Sequence, residues 1–124
     1  PIQMVTGNAH TVELKGLHNA QLNSLKLYTY KDGVKGTQDL LSGISTVADG
    51  YGLKYTAKLA SGTYWVEGYD ANKDCNGGME MVIADDTTSV SVQRAYEIYA
   101  RNSGWVAGTD YTIDHTGRQC PVSS

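Results

Sequence analysis

What this sequence lacks narrows its function before any motif is read. No basic cluster occurs. Ten Lys and Arg are scattered against thirteen Asp and Glu, giving a net charge of −3. Such a chain has no electrostatic footprint for nucleic acid or for an anionic membrane. No apolar run reaches the roughly 20 residues that a membrane-spanning helix needs, so membrane insertion is not expected. No signal-peptide pattern opens the chain, and its first residues, PIQMV, read as those of a trimmed or mature product. No Ser sits in a nucleophile elbow, and His10, His18 and His115 are too far apart in sequence to form a metal-spaced pair. No catalytic residues can be assigned, and an enzyme is not expected.

Cysteine is scarce as well. Cys75 and Cys120 are the only two. They are far apart and make no CxxC, which argues against a zinc site or a redox motif. One disulfide between them, in an exported domain, is the simplest account. It implies an extracellular or cell-surface location. Cys120 lies in a polar tail with little else to hold it, and terminal segments fray unless tied down.

Phenylalanine is missing altogether, whereas Gly is 14 and Tyr is 9. That balance suits short strands joined by tight turns, with amphipathic rings on half-exposed faces. Helical periodicity is hard to find, and what recurs is alternation bounded by Gly, Asp and Asn. Val12 and Leu14 alternate with Thr11, Glu13 and Lys15. Leu25 and Leu27 alternate with Lys26, Tyr28 and Tyr30, up to Asp32-Gly33, a strong hairpin signal. A second Asp-Gly stands at Asp49-Gly50, before Leu53, Tyr55, Ala57 and Leu59. Tyr64 and Val66 alternate with Trp65 and Glu67. Met79, Met81 and Ile83 follow, then Val90 and Val92. About seven strands with turn signals roughly every 8–14 residues make an all-β antiparallel sandwich. The chain, 124 residues long, is expected to be one domain, with the sandwich at about 10–100 and a hairpin and tail at 101–124. The expected core is Leu25, Leu27, Leu59, Tyr64, Val66, Ile83, Val90 and Val92.

Two stretches are ambiguous. GTQDLLSGIS admits a helical turn around Leu40 and Leu41. SVQRAYEIYARN reads as a strand with a bulge near Arg94 and Ala95, or as a helix with Val92, Ala95, Tyr96 and Tyr99 on one face. The strand is preferred, because Val90, Val92, Tyr96, Ile98 and Tyr99 favour extended structure. The stretch WVAGTDYTI reads as a short hairpin packed on the sandwich.

From residue 10 to about 99 the order of parts resembles a known group. TVADGYGLKYTAKLASGTYWVEGYD is similar to the DG-x-Y-x-x-x-L-x-x-G-x-Y-x-V signature of prealbumin-like sandwich modules. The group includes collagen-adhesin B-type repeats of bacterial surface proteins and carboxypeptidase regulatory-like domains. The resemblance implies an Ig-like or prealbumin-like sandwich with Gly50 and Gly62 at positive-φ turns. It also implies a non-catalytic structural or adhesive role within a larger secreted or surface protein. Some collagen-adhesin repeats carry a Lys–Asn isopeptide bond promoted by a buried acid, which here would involve Lys15, Asn102 and Glu67. Glu67 departs from that pattern by lying three residues after Tyr64, on the opposite strand face, so a solvated Lys15 and Glu67 are expected instead.

Two further constellations point to ligands. Asp70, Asn72 and Asp74 repeat the D-x-N-x-D spacing that converges on calcium. The loop has Cys75 where the helical calcium motif has Gly and Met81 where it has Glu. A polar turn with Asx side chains bonding their own backbone is therefore the first reading, and calcium the second. Trp65 alternates to the outside, near Tyr69 and, across the sheet, Lys54 or Lys58. With Trp105 and neighbouring Tyr side chains it could form a platform for a glycan or a protein partner. The expected arrangement, however, has the tail hairpin folding Trp105 over Trp65.

Overall fold

A computed structural model of the chain describes residues 9–15, 23–49, 52–70, 77–113 and 119–121. The strands in chain order are β1 (His10–Lys15), β2 (Asn23–Lys31), β3 (Val34–Lys35), β4 (Thr46–Asp49), β5 (Gly52–Leu59), β6 (Gly62–Asp70), β7 (Gly77–Ile83) and β8 (Ser89–Ser91). Helix α1 (Val92–Asn102) follows, and then β9 (Tyr111–Ile113) and β10 (Gln119–Pro121). One four-stranded sheet runs β4-β5-β1-β8, the other β3-β2-β6-β7, and β9 pairs with β10 in a separate ribbon. The described residues thus hold ten strands and a helix, where the alternation alone suggested about seven strands.

The two sheets turn their alternating apolar residues toward each other. Val12, Leu14, Tyr55, Ala57 and Leu59 come from one, and Leu25, Leu27, Tyr64, Val66, Met79, Met81 and Ile83 from the other, in one buried cluster. A fully buried side chain of this size contributes about 1.5–3 kcal/mol, so this interlayer is the main source of stability. Of the expected core, only Val90 is half-buried rather than buried. Two tyrosines fix the layers with hydroxyl groups. Tyr55 on β5 accepts the amide of Leu25 on β2 at 3.0 Å across the interlayer. Tyr64 donates to the carbonyl of Ala60, four residues upstream, at 2.6 Å.

Local chemistry sets the hairpins. Asp32 and Gly33 both have positive φ, 53° and 78°, the two-residue turn whose twist matches the flanking strands. Tyr30 is thereby paired with Lys35. Gly62, by contrast, opens β6 and is not among the positive-φ residues. Gly50 lies outside the described residues. The Leu40–Leu41 stretch does form a turn. Asp39 Oδ1 accepts the amides of both Leu27 and Leu41 at 3.0 Å, which seats Leu41 in the core.

The strand expected over residues 92–99 is a helix instead. Val92, Gln93, Tyr96 and Ala100 make its buried face, a helical rather than an alternating period. Ser91 caps its start by accepting the Arg94 amide at 3.3 Å. Ser103 ends it, and Gly104 follows with φ 66°, the left-handed residue that commonly stops helices. Burial period and caps outweigh the extended preference of Ile98 and the tyrosines.

The tail also differs from the expected WVAGTDYTI hairpin. Residues 106–110 form a turn in which Asp110 Oδ2 accepts the Val106 amide at 2.8 Å. The partner of Tyr111–Ile113 is Gln119–Pro121. Strand β10 lies beside α1 and reaches β7.

Candidate functional site

The outer face of the β3-β2-β6-β7 sheet concentrates the chain's chemistry. Alternation sends Leu25, Leu27, Tyr64, Val66, Met79 and Met81 inward, so it sends Tyr28, Tyr30, Trp65, Glu67, Glu80 and Val82 outward. Register then decides which of them meet. Trp65 on β6 stands between Tyr28 on β2 and Glu80 on β7.

The indole is held in place from three sides. The Tyr30 ring lies 5.1 Å from it, tilted by 46°. Its Nε1 donates to Glu67 Oε2 at 3.0 Å. Beneath it is a notch, because a Cβ built on Gly78 would stand 2.5 Å from Trp65 Nε1 and 2.9 Å from Glu67 Cγ. Gly78 is required here for space, with no demand on φ. The same Glu67 oxygen accepts from Lys35 Nζ at 2.8 Å, and that ammonium sits 4.6 Å from the centre of the Tyr28 ring. The hydrogen bond to Glu67 raises the Lys35 pKa above its ordinary value. The Lys35 side chain is 43% exposed, so the pair contributes below about 1 kcal/mol. Its effect is to orient Glu67 under the indole.

Beside this platform a surface groove of about 450 Å³ is lined by Tyr30, Lys31, Asp32, Gly33, Thr63 and Glu80. Tyr30 and Glu80 both border Trp65 and the groove, so the two features are continuous. The arrangement offers an aromatic surface beside carboxylates, hydroxyls and ammonium groups.

The expected site residues separate. Trp65 takes the outward position read from the alternation and remains half-exposed. Trp105 does not cover it. Its ring packs instead against Tyr96 at 5.6 Å and Tyr99 at 5.1 Å, at the end of α1. The reason is the helix: α1 presents an aromatic face that the expected strand would not have had. Lys54 lies on β5 in the other sheet, 3.6 Å from Glu13, and Lys58 shares that strand. The lysine bonded to the Glu67 that holds Trp65 is Lys35, placed there by the Asp32-Gly33 turn. The isopeptide set is not assembled either: Glu67 is on this outer face, Lys15 is on β1 of the other sheet, and Asn102 is exposed at the end of α1.

The backbone of Asp70 closes β6, but its side chain, like that of Tyr69, lies outside the described residues, as do Asn72, Asp74 and Cys75. Cys120 is placed by its backbone alone, opposite Thr112. His18 and His115 are likewise outside, while His10 Nε2 lies 2.6 Å from the Thr87 carbonyl oxygen. Among the described residues no helix is long and apolar enough to cross a membrane.

Tyr28, Tyr30 and Glu80 were missing from the sequence reading of the site. Their alternation was legible, but their position around Trp65 required the pairing of β2 with β6 and of β6 with β7. Together fold and face define a two-sheet β protein with an aromatic–polar surface built on one sheet. No protein-family model matches the chain, and no curated protein or solved structure matches it.

Proposed function

We propose that this chain is a non-catalytic extracellular structural or adhesive module, one domain of a larger secreted or surface protein, with a prealbumin-like or Ig-like sandwich. Its contact surface is the outer face around Trp65. The observation that carries this reading is the held indole: a half-exposed tryptophan fixed by Tyr30, Glu67 and the Gly78 notch. Rigid aromatic anchors lose little freedom on binding and dominate interface energies. The Tyr64 hydroxyl returning to the Ala60 carbonyl supports the Ig-like part, since such corners recur in those sandwiches. The exported location rests on the two cysteines. Strand β10, which carries Cys120, reaches β7, and β7 begins at Gly77, two positions after Cys75.

The test is adhesion of the fluorescently labelled module to intact bacterial and animal cell surfaces, compared with Trp65→Ala and Tyr28→Ala. Loss of binding by both variants, with melting curves still cooperative, is expected. Unchanged binding by both would overturn the assignment of this face.

A further inference from the structure

Resting on that reading of the face, we propose that its partner is a neutral oligosaccharide, with one pyranose ring stacked on Trp65 and the adjoining unit in the groove at the Asp32-Gly33 turn. Three observations combine. The indole is held over Gly78 and against Tyr30, so a sugar ring meets an ordered aromatic side chain whose polar Nε1–H is already satisfied by Glu67. The groove, about 450 Å³, falls within the roughly 300–1,000 Å³ of small-molecule sites. It is continuous with the plate through Tyr30 and Glu80, which favours a ligand of at least two linked rings over a single one.

The polar groups fix the class. A sugar hydroxyl both donates and accepts, and the groove supplies carboxylate acceptors from Asp32 and Glu80, a Thr63 hydroxyl that does both, and a Lys31 donor. An apolar peptide would leave these groups unpaired on binding, which is costly. An acidic glycan would set its carboxylates against Asp32 and Glu80 with Lys31 alone opposing them. Lys35 is already engaged with Glu67, and Lys26, opposite Glu67 in register, does not line the groove. Charge therefore selects neutral sugars.

The experiment is a titration of the whole chain, followed by tryptophan emission and calorimetry. The neutral probes are linear gluco-, manno- and xylo-oligosaccharides, from monosaccharide to hexasaccharide; the acidic probes are hyaluronan and polygalacturonate fragments. At least one neutral series should bind, with affinity rising from monosaccharide to disaccharide. Trp65→Ala should weaken it by about tenfold or more, as for a central aromatic anchor, and Trp65→Tyr should retain part of it. Asp32→Asn, at the groove end away from Trp65, should weaken the longer ligands and leave the monosaccharide unaffected. Tighter binding of the acidic probes, or neutral binding indifferent to Trp65, overturns the proposal. So does failure of every neutral series. If that failure accompanies cell-surface adhesion that still depends on Trp65, the contact face stands and only the sugar is wrong. Adhesion independent of Trp65 removes both.

Discussion

Gly78→Ala tests the geometry of the site directly. A Cβ at this position would point outward, 2.5 Å from Trp65 Nε1, 2.9 Å from Glu67 Cγ and 2.8 Å from the Val66 carbonyl oxygen. The two side chains can swing aside, but the carbonyl belongs to the β6–β7 ladder and can yield only if the strands part. If Trp65 lifts, it loses its contact with Tyr30, about 0.5–1.5 kcal/mol, and its bond to Glu67, about 1 kcal/mol. Replacing Gly by Ala in a strand returns about 0.5–1 kcal/mol of backbone entropy. The net is a destabilisation of about 0.5–2 kcal/mol, before any strain on the ladder. At this chain length that lowers Tm by about 2–8 °C. Gly62→Ala is the control, because its nearest neighbour would be Tyr64 Cε1 at an ordinary 3.9 Å. It should be neutral or slightly stabilising. Thermal melts followed by far-ultraviolet circular dichroism give the stability, and tryptophan emission reports the indole. A Gly78→Ala protein as stable as the Gly62→Ala control, with unchanged emission, would mean that the indole does not rest on β7.

Further predictions concern the core, Tyr96 and alkaline pH, the two cysteines and the acidic loop. Leu59→Ala and Val66→Ala remove side chains that are 4% and 1% exposed; Leu59→Ala should cost about 2–4 kcal/mol in denaturant melts, and Val66→Ala somewhat less. The Tyr96 hydroxyl is buried with no hydrogen-bond partner among the described residues, so Tyr96→Phe should raise stability by about 1 kcal/mol. Burial holds the hydroxyls of both Tyr64 and Tyr96 above their ordinary 10.0, and Tyr111 and Asp110 push Tyr96 further. The folded state thus keeps protons that the unfolded chain releases. The resulting stability is fully present below about pH 10 and falls as pH rises through the folded values; Tyr96→Phe should flatten that alkaline decline. Cys75 and Cys120 should appear as a linked peptide in a non-reduced digest, closing a loop of about 45 residues worth about 4 kcal/mol; two freely alkylated thiols would refute the bond and weaken the extracellular assignment. If Asp70, Asn72 and Asp74 hold calcium, saturating ion should raise Tm and Asp74→Ala should abolish the rise, whereas identical curves in calcium and chelator would leave a plain turn.

Sequence alone determined the faces of the strands. A period of two is a property of extended backbone, so Leu25, Leu27, Tyr64 and Val66 inside and Trp65 outside could be read without coordinates. The Asp32-Gly33 turn was equally local, since only residues that tolerate positive φ make it. Residues 92–102 were legible as either of two structures. The intrinsic preferences of Val92, Ile98 and the tyrosines point to a strand, and only the presence of a core to receive Val92, Tyr96 and Ala100 on one side decides for the helix. That decision carried Trp105 away to Tyr96 and Tyr99 and left Trp65 uncovered. The neighbours of Trp65 were decided wholly by tertiary structure. Alternation says which face a residue occupies, but not which residue lies opposite. Lys35, Glu80 and Gly78 reach the indole through strand pairings whose register is set by burial of the opposite face, a non-local condition that no local pattern in the sequence contains.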